Sequence, residues 1–335
     1  MTAAPIDHPE YLPFKLDPVA RRVLWVRLSA PQRREAAFLD DRALPPDAEG
    51  GWRPWSSLTT RDGAGVPPAH AIFHIGHCGS TLLSRLLDTW PEVQGLREPL
   101  PLRTLAEAWP ALDQPQSRLS TMQATQALDA LWARWSQPLP PRRVSIVKAT
   151  SGCNGLIQPL LERHRQMRAV LMAMPLRPYL ATLLKSPASV VDAATAAAER
   201  LLYLRANAIA QDVSLHALTL PHQCAMGWLA ERLRFDALAG GEHGSRLLRL
   251  DFEDMLADPA RELQRVVAHF QLDPAQLDRA LASPEWNRYS KATVHEYGRS
   301  DREHDLALAM SKHATQIAEG EAWVAQQLRA SGRTV

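Results

Sequence analysis

The run Phe73-His74-Ile75-Gly76-His77-Cys78-Gly79-Ser80-Thr81-Leu82-Leu83 holds the residue types best suited to grip an anion. A short apolar stretch enters two glycines and a hydroxyl pair, then leucines at helical spacing. Glycine lets a backbone curl tightly and approach a ligand closely. The open amides of a helix start, with the positive end of its dipole, favour phosphate or sulfate. Ser80 and Thr81 can add hydroxyl hydrogen bonds to the same oxygens. The same run also reads as a plain strand-to-helix turn closed by a Ser/Thr cap. No Gly-Lys-Ser/Thr ends the loop, which argues against the nucleoside-triphosphatase version.

Other chemistries have less to build on. His74 and His77 lack a partner carboxylate or thiol at ligand spacing, so no metal site is expected. Cys78, beside a helix start that would depress a thiol pKa, is a conceivable nucleophile or redox group. The three cysteines, Cys78, Cys153 and Cys224, give no disulfide framework and suit a reducing compartment.

The positioning elements follow from the apolar pattern. Residues 1–68 contain strand-like pieces such as Arg22 to Leu28, then Trp52, Trp55 and a Gly/Pro-rich turn. They read as a β-rich extension, whose open roles are dimerisation and covering a sheet edge. A homodimer is compatible with this. From 69 to 335, strands expected at Ala71–Ile75, Ser145–Val147, Ala169–Met174 and Leu247–Leu250 alternate with helices. The helices are expected over Ser80–Thr89, Met122–Ser136, Ala193–Gln211 and Asp258–Phe270, with one more over the last thirty residues, outside the core. Alternation of this kind predicts an α/β fold, a mostly parallel sheet covered on both faces, with ligands beyond the strands' carboxyl ends.

The run resembles the 5′-phosphosulfate-binding loop of sulfotransferases, a basic residue followed by Ser-Gly-Thr-Thr and apolar residues. Gly79-Ser80-Thr81-Leu82-Leu83 matches; Cys78 stands for the usual Ser, and His77 for Lys or Arg. Arg97-Glu98-Pro99 resembles a downstream element whose glutamate is a catalytic base in some members. Its other reading is a solvated Glu98 paired with Arg97. Val147-Lys148 resembles the family's strand ending in Lys, although an ordinary strand-end lysine reads the same way. Met174 to Thr182 stands where the family has the Arg and Ser that hold a 3′-phosphate. Thr182 can replace Ser and Arg177 fills the second basic position, whereas Met174 has no donor. A register shifted by three brings Lys185-Ser186 to the end of this motif. Arg249 to Pro259 resembles a structural strand-to-helix segment. Arg288, Lys291 and Arg299 resemble a C-terminal loop returning over the donor, and they read equally as a solvated basic loop.

The resemblance implies a P-loop-type three-layer fold. It implies transfer of a sulfonate group from 3′-phosphoadenosine 5′-phosphosulfate to a hydroxyl or amine on a small-molecule or peptide acceptor, without a metal. Gly76, Cys78, Gly79, Ser80, Thr81, Leu82, Arg177, Thr182, Lys291 and Arg299 would bind the donor, and Glu98, His77 and Lys148 would act in transfer. Two alternatives remain: a P-loop transferase or kinase using another nucleotide, and a non-catalytic binding protein of the same fold. The net charge of +2 on 335 residues argues against a nucleic-acid coat. With no basic-then-apolar leader and no apolar run of about 18 residues, a cytoplasmic protein off the membrane is expected.

Overall fold

In the N-terminal segment, apolar and charged residues are arranged to bury one side. Within Arg22–Arg27, Val23, Trp25 and Val26 are buried while both terminal arginines face out. The computed structural model describes residues 6–59, 66–289 and 295–333. Strands β1 (Tyr11–Asp17), β2 (Arg22–Arg27) and β3 (Gly50–Pro54) form an antiparallel sheet in that order. Helix α1 (Ala30–Glu35) interrupts it, opened by a capping box between Ser29 and Gln32.

The second sheet is parallel, in the order β5–β6–β4–β7–β8. Its strands are β4 (His70–His74), β5 (Val93–Arg97), β6 (Val144–Lys148), β7 (Ala169–Ala173) and β8 (Leu247–Asp251). Every residue of β5 and β7 is buried, as expected of strands covered on both faces. Register brings the carboxyl ends to one edge, with Arg97 opposite Lys148 and Ala173 opposite Asp251. The expected α/β architecture is therefore present.

Helices α2 (Ser80–Leu87), α3 (Leu100–Ala108), α4 (Thr121–Trp135) and α5 (Ile157–Arg163) fill the early crossovers. Before β8 come α6 (Leu176–Leu184), α7 (Pro187–Thr195), α8 (Ala197–Ala206) and α9 (Leu220–Ala239). After it come α10 (Phe252–Ala257), α11 (Pro259–Phe270), α12 (Leu277–Leu281), α13 (Arg299–Lys312) and α14 (Ala314–Ala330). Asp258 caps α11 by accepting from the Arg261 amide, and Pro259 occupies its first turn.

Several expectations need correction. The stretch 193–211 is not one helix but part of α7 followed by α8. The last helix lies inside the core: Ile317, Trp323 and Val324 are buried, and α14 packs on α9 and α6. Among the elements without a sequence expectation, two show why. Strand β5 escapes an apolar count because it carries Gln94 and Arg97, both buried and hydrogen bonded. Helix α9 contacts α6, α8 and α14, so its apolar residues follow no single face. Among the described residues, no helix is long and apolar enough to cross a membrane.

The extension and the parallel sheet share one apolar core. Strand β1 packs on α3 and α4, and buried Arg134 donates through Nε to the Tyr11 carbonyl at 3.0 Å.

Candidate functional site

Positive backbone angles shape the loop after β4: φ is 93° at Gly76, 52° at His77 and 73° at Gly79. A Cβ at Gly79 would overlap the Phe252 ring, so glycine is required there twice over. Gly79 is the N-cap of α2 and supplies no side-chain cap, leaving the first amides of the helix open. Ser80 and Thr81 are only 4% exposed, and among the described residues neither hydroxyl has a hydrogen-bond partner. Open amides and open hydroxyls at one helix start are the donor set that an anion entering the loop would meet.

His74 braces this loop. Its Nδ1 accepts from the Gly76 amide at 2.9 Å, and its Nε2 lies 2.8 Å from the Ala149 carbonyl. A carbonyl only accepts, so the ring is neutral with its proton on Nε2. Asn154 donates to the His74 carbonyl at 3.0 Å and to buried Glu231 at 2.9 Å, tying the strand end to α9.

Cys78 turns away from the loop's open side and donates its thiol to the Met172 carbonyl at 3.4 Å. Burial pushes its pKa up to about 12, which corrects the expectation of an activated thiol. Desolvation outweighs the helix start.

Across the sheet edge, Glu98 has φ 53° and places its carboxylate against the ammonium of Lys148. Lys148 is 1% exposed and sits 5.9 Å above the Phe38 ring. Arg97 is not the partner of Glu98. It is fully buried, binds Asp88 at 2.5 Å, and donates to the carbonyls of Arg33 and Ala36 at 3.1 and 2.8 Å.

These groups meet in a cleft of about 890 Å³ beyond the strand ends. Gly76, His77, Gly79, Ser80, Thr81, Leu82, Glu98, Lys148, Thr182 and Arg299 all line it. Cys78 and Arg177 do not. Arg177, in the first turn of α6, points outward and pairs with Glu321 at 2.6 Å. Lys185 and Ser186 line the cleft instead, as the shifted register would have it. Met174 is buried beneath, its carbonyl accepting from Trp228 Nε1 at 2.9 Å. Lys291 lies outside the described residues. Phe38, Asp40, Arg42, Arg103 and Arg302 also line the cleft, brought there from distant segments with no motif to signal them.

Among the described residues, the lining carries seven basic side chains, Arg42, Arg103, Lys148, Lys185, Arg288, Arg299 and Arg302, against two acidic ones, Asp40 and Glu98. Six of these cations are ion-paired where they stand, Arg42 with Asp40, Arg103 with Glu107 and Lys148 with Glu98 among them. Arg299 binds Glu303 at 2.8 Å, Lys185 binds Asp305 at 3.2 Å, and Arg302 pairs with Glu253 while lying 4.9 Å over Phe252. Among the described residues, no group of three His, Cys, Asp or Glu side chains has metal-holding geometry.

No family model matches the sequence, and no curated relative matches it. The chain is similar to several solved structures. One is the sulfotransferase domain from the curacin biosynthetic pathway, at 12% identity and TM-score 0.41, covering 73% of this chain and 90% of that one. Another is a mouse sulfotransferase complexed with PAP, at 11% identity and TM-score 0.41, covering 83% and 89%. A third is the sulfotransferase domain from a Synechococcus olefin synthase, at 15% identity and TM-score 0.38, covering 75% and 89%. Likeness at this level carries no weight for ligand or activity.

Proposed function

We propose that the chain is a sulfotransferase-like enzyme moving a sulfonate group from 3′-phosphoadenosine 5′-phosphosulfate to a hydroxyl or amine acceptor. The observation that carries this reading is the shared cleft. An uncapped helix start with two open hydroxyls faces the same space as a Lys148–Glu98 pair.

The loop amides, Ser80 and Thr81 hold the donor's 5′-phosphosulfate. The acceptor oxygen or nitrogen attacks sulfur and loses its proton to the Glu98 carboxylate. The bond between sulfur and the bridging oxygen breaks, leaving adenosine 3′,5′-bisphosphate. Lys148, released from Glu98 as that carboxylate takes the proton, steadies the charge on the departing oxygen, with His77 beside it. Lys185, Ser186 and Thr182 are the candidates for the 3′-phosphate.

A second reading, a P-loop transferase using another nucleotide, is favoured by one observation: buried Met174 occupies the place of a 3′-phosphate arginine. Calorimetric titration with adenosine 3′,5′-bisphosphate, ADP and ATP separates the two. Micromolar binding that requires the 3′-phosphate is the expected result. A preference for ATP, or no binding of the bisphosphate, overturns the sulfotransferase reading.

A further inference from the structure

Arg288 lines a second cavity besides the cleft, about 490 Å³ in volume, walled by α1, α2 and the segment around α12. Among the described residues, four arginines line it, Arg34, Arg85, Arg279 and Arg288, with Asp88 and Glu285 as acids. The charge of Asp88 is already matched outside the cavity. Its Oδ2 takes Arg97 at 2.5 Å, while its Oδ1 accepts the Gly95 amide at 2.7 Å and Arg142 at 3.5 Å.

Arg85 donates through Nη2 to the Glu35 carbonyl at 3.1 Å, and Glu285 approaches its Nε at 3.8 Å. Arg85 is nine-tenths buried, and its pKa is lowered by burial and then by the charge of Arg97. A positive charge there is costly, and an entering anion would offset that cost. The donor forks are planar and come from separate elements, a geometry that suits an oxyanion offering several oxygens rather than a single carboxylate.

We propose that this cavity is a second anion site, for a multivalent oxyanion of the phosphate class, either free or carried by a larger molecule. The site stands independently of the reaction proposed for the cleft.

Calorimetric titration of the full chain with inorganic pyrophosphate tests it, comparing the parent with Arg34→Glu/Arg279→Glu. Both residues are exposed and outside the cleft lining, and thermal unfolding of the variant verifies its fold. The expected result is a binding event weakened at least about tenfold by the double reversal and retained in Lys148→Met, which alters only the cleft. ADP run in parallel identifies the source. A reversal-sensitive event tighter for ADP assigns a phosphate carried by a larger molecule; a weaker one assigns the free ion. Pyrophosphate binding unchanged by the double reversal, binding abolished by Lys148→Met alone, or no binding at millimolar concentration overturns the proposal. Failure of the bisphosphate to bind the cleft would leave these readouts intact.

Discussion

Glu98 and Lys148 join the ends of two neighbouring parallel strands. The register pairs Arg97 with Lys148, and Glu98, one residue on, turns back at φ 53°. Its amide donates to the Lys148 carbonyl at 2.6 Å while its carboxylate meets the Lys148 ammonium. A non-glycine residue in this region carries strain, roughly 1–3 kcal/mol, which the surroundings must hold in place. Here that strain aims a carboxylate into the cleft with its cation beside it.

Glu98→Gln keeps the shape and removes the proposed base. The expected loss in kcat is about 10²–10⁴-fold, with bisphosphate affinity changed only a few-fold. Steady-state sulfonate transfer alongside calorimetry reads both quantities. A glutamine variant with the parent's rate would remove Glu98 from the chemistry.

Gly79→Ala forces an L-residue to φ 73° and drives a methyl into the Phe252 ring. Backbone strain alone costs roughly 1–3 kcal/mol, so the thermal midpoint should fall and anion affinity should drop with it. Adding Phe252→Leu relieves the overlap and should recover part of the midpoint. If the single variant melts like the parent, the loop does not depend on this packing.

How much of this was legible beforehand depended on what each residue contacts. The strand into Gly76, the helix from Ser80 and the four apolar strands are local patterns of burial and turn chemistry, and they are present. Glu98 was marked by its tripeptide, but its partner was not, because the Lys148 contact arises from strand pairing across fifty residues of chain. Arg97 read as a surface cation because nothing local reveals the carbonyls of Arg33 and Ala36 that enclose it. Phe38 and Arg42 reach the cleft on a segment held to the end of β5 by the Arg97 side chain and by the Leu39 amide, which donates to the Arg97 carbonyl at 2.7 Å. Arg177 failed the opposite way: a plausible residue type on a helix face turned to Glu321.

Arg97 therefore matters for stability and for site shape together. Arg97→Met leaves Asp88 buried without its main cation, and removal of one partner from such a pair typically costs about 3–5 kcal/mol. The double variant Arg97→Met/Asp88→Asn keeps an acceptor for the Gly95 amide and should regain part of that loss. Denaturant midpoints across the four-member cycle give the coupling. Additive effects would mean the pair acts as two separate residues.

His74 offers a test of loop preorganisation. His74→Ala leaves the Gly76 amide and the Ala149 carbonyl without their imidazole, and an unsatisfied buried group costs about 1–3 kcal/mol. His74→Asn can still accept from Gly76 through its side-chain oxygen. Bisphosphate affinity should fall in the order parent, Asn, Ala, with KM for the donor rising more than kcat falls. Equal loss in both variants would mean that the ring fills space and does not brace the loop.

A different histidine contributes to acid sensitivity. His70 stacks on Phe270, with ring centroids 5.3 Å apart, and its Nδ1 accepts from the Arg168 amide at 3.2 Å. Burial, then the charges of Arg168 and His269, lower its pKa to about 4 from an ordinary value of 6.5. Between those two values the unfolded chain holds a proton that the folded chain does not, so stability rises with pH there. The contribution is complete above about pH 6.5 and is lost as the pH falls toward 4. His164 and His269, also lowered chiefly by burial, act in the same direction. His70→Asn retains an acceptor for Arg168 but does not titrate. Urea midpoints measured across this window should therefore slope less steeply in the variant than in the parent, and identical slopes would assign the acid sensitivity elsewhere.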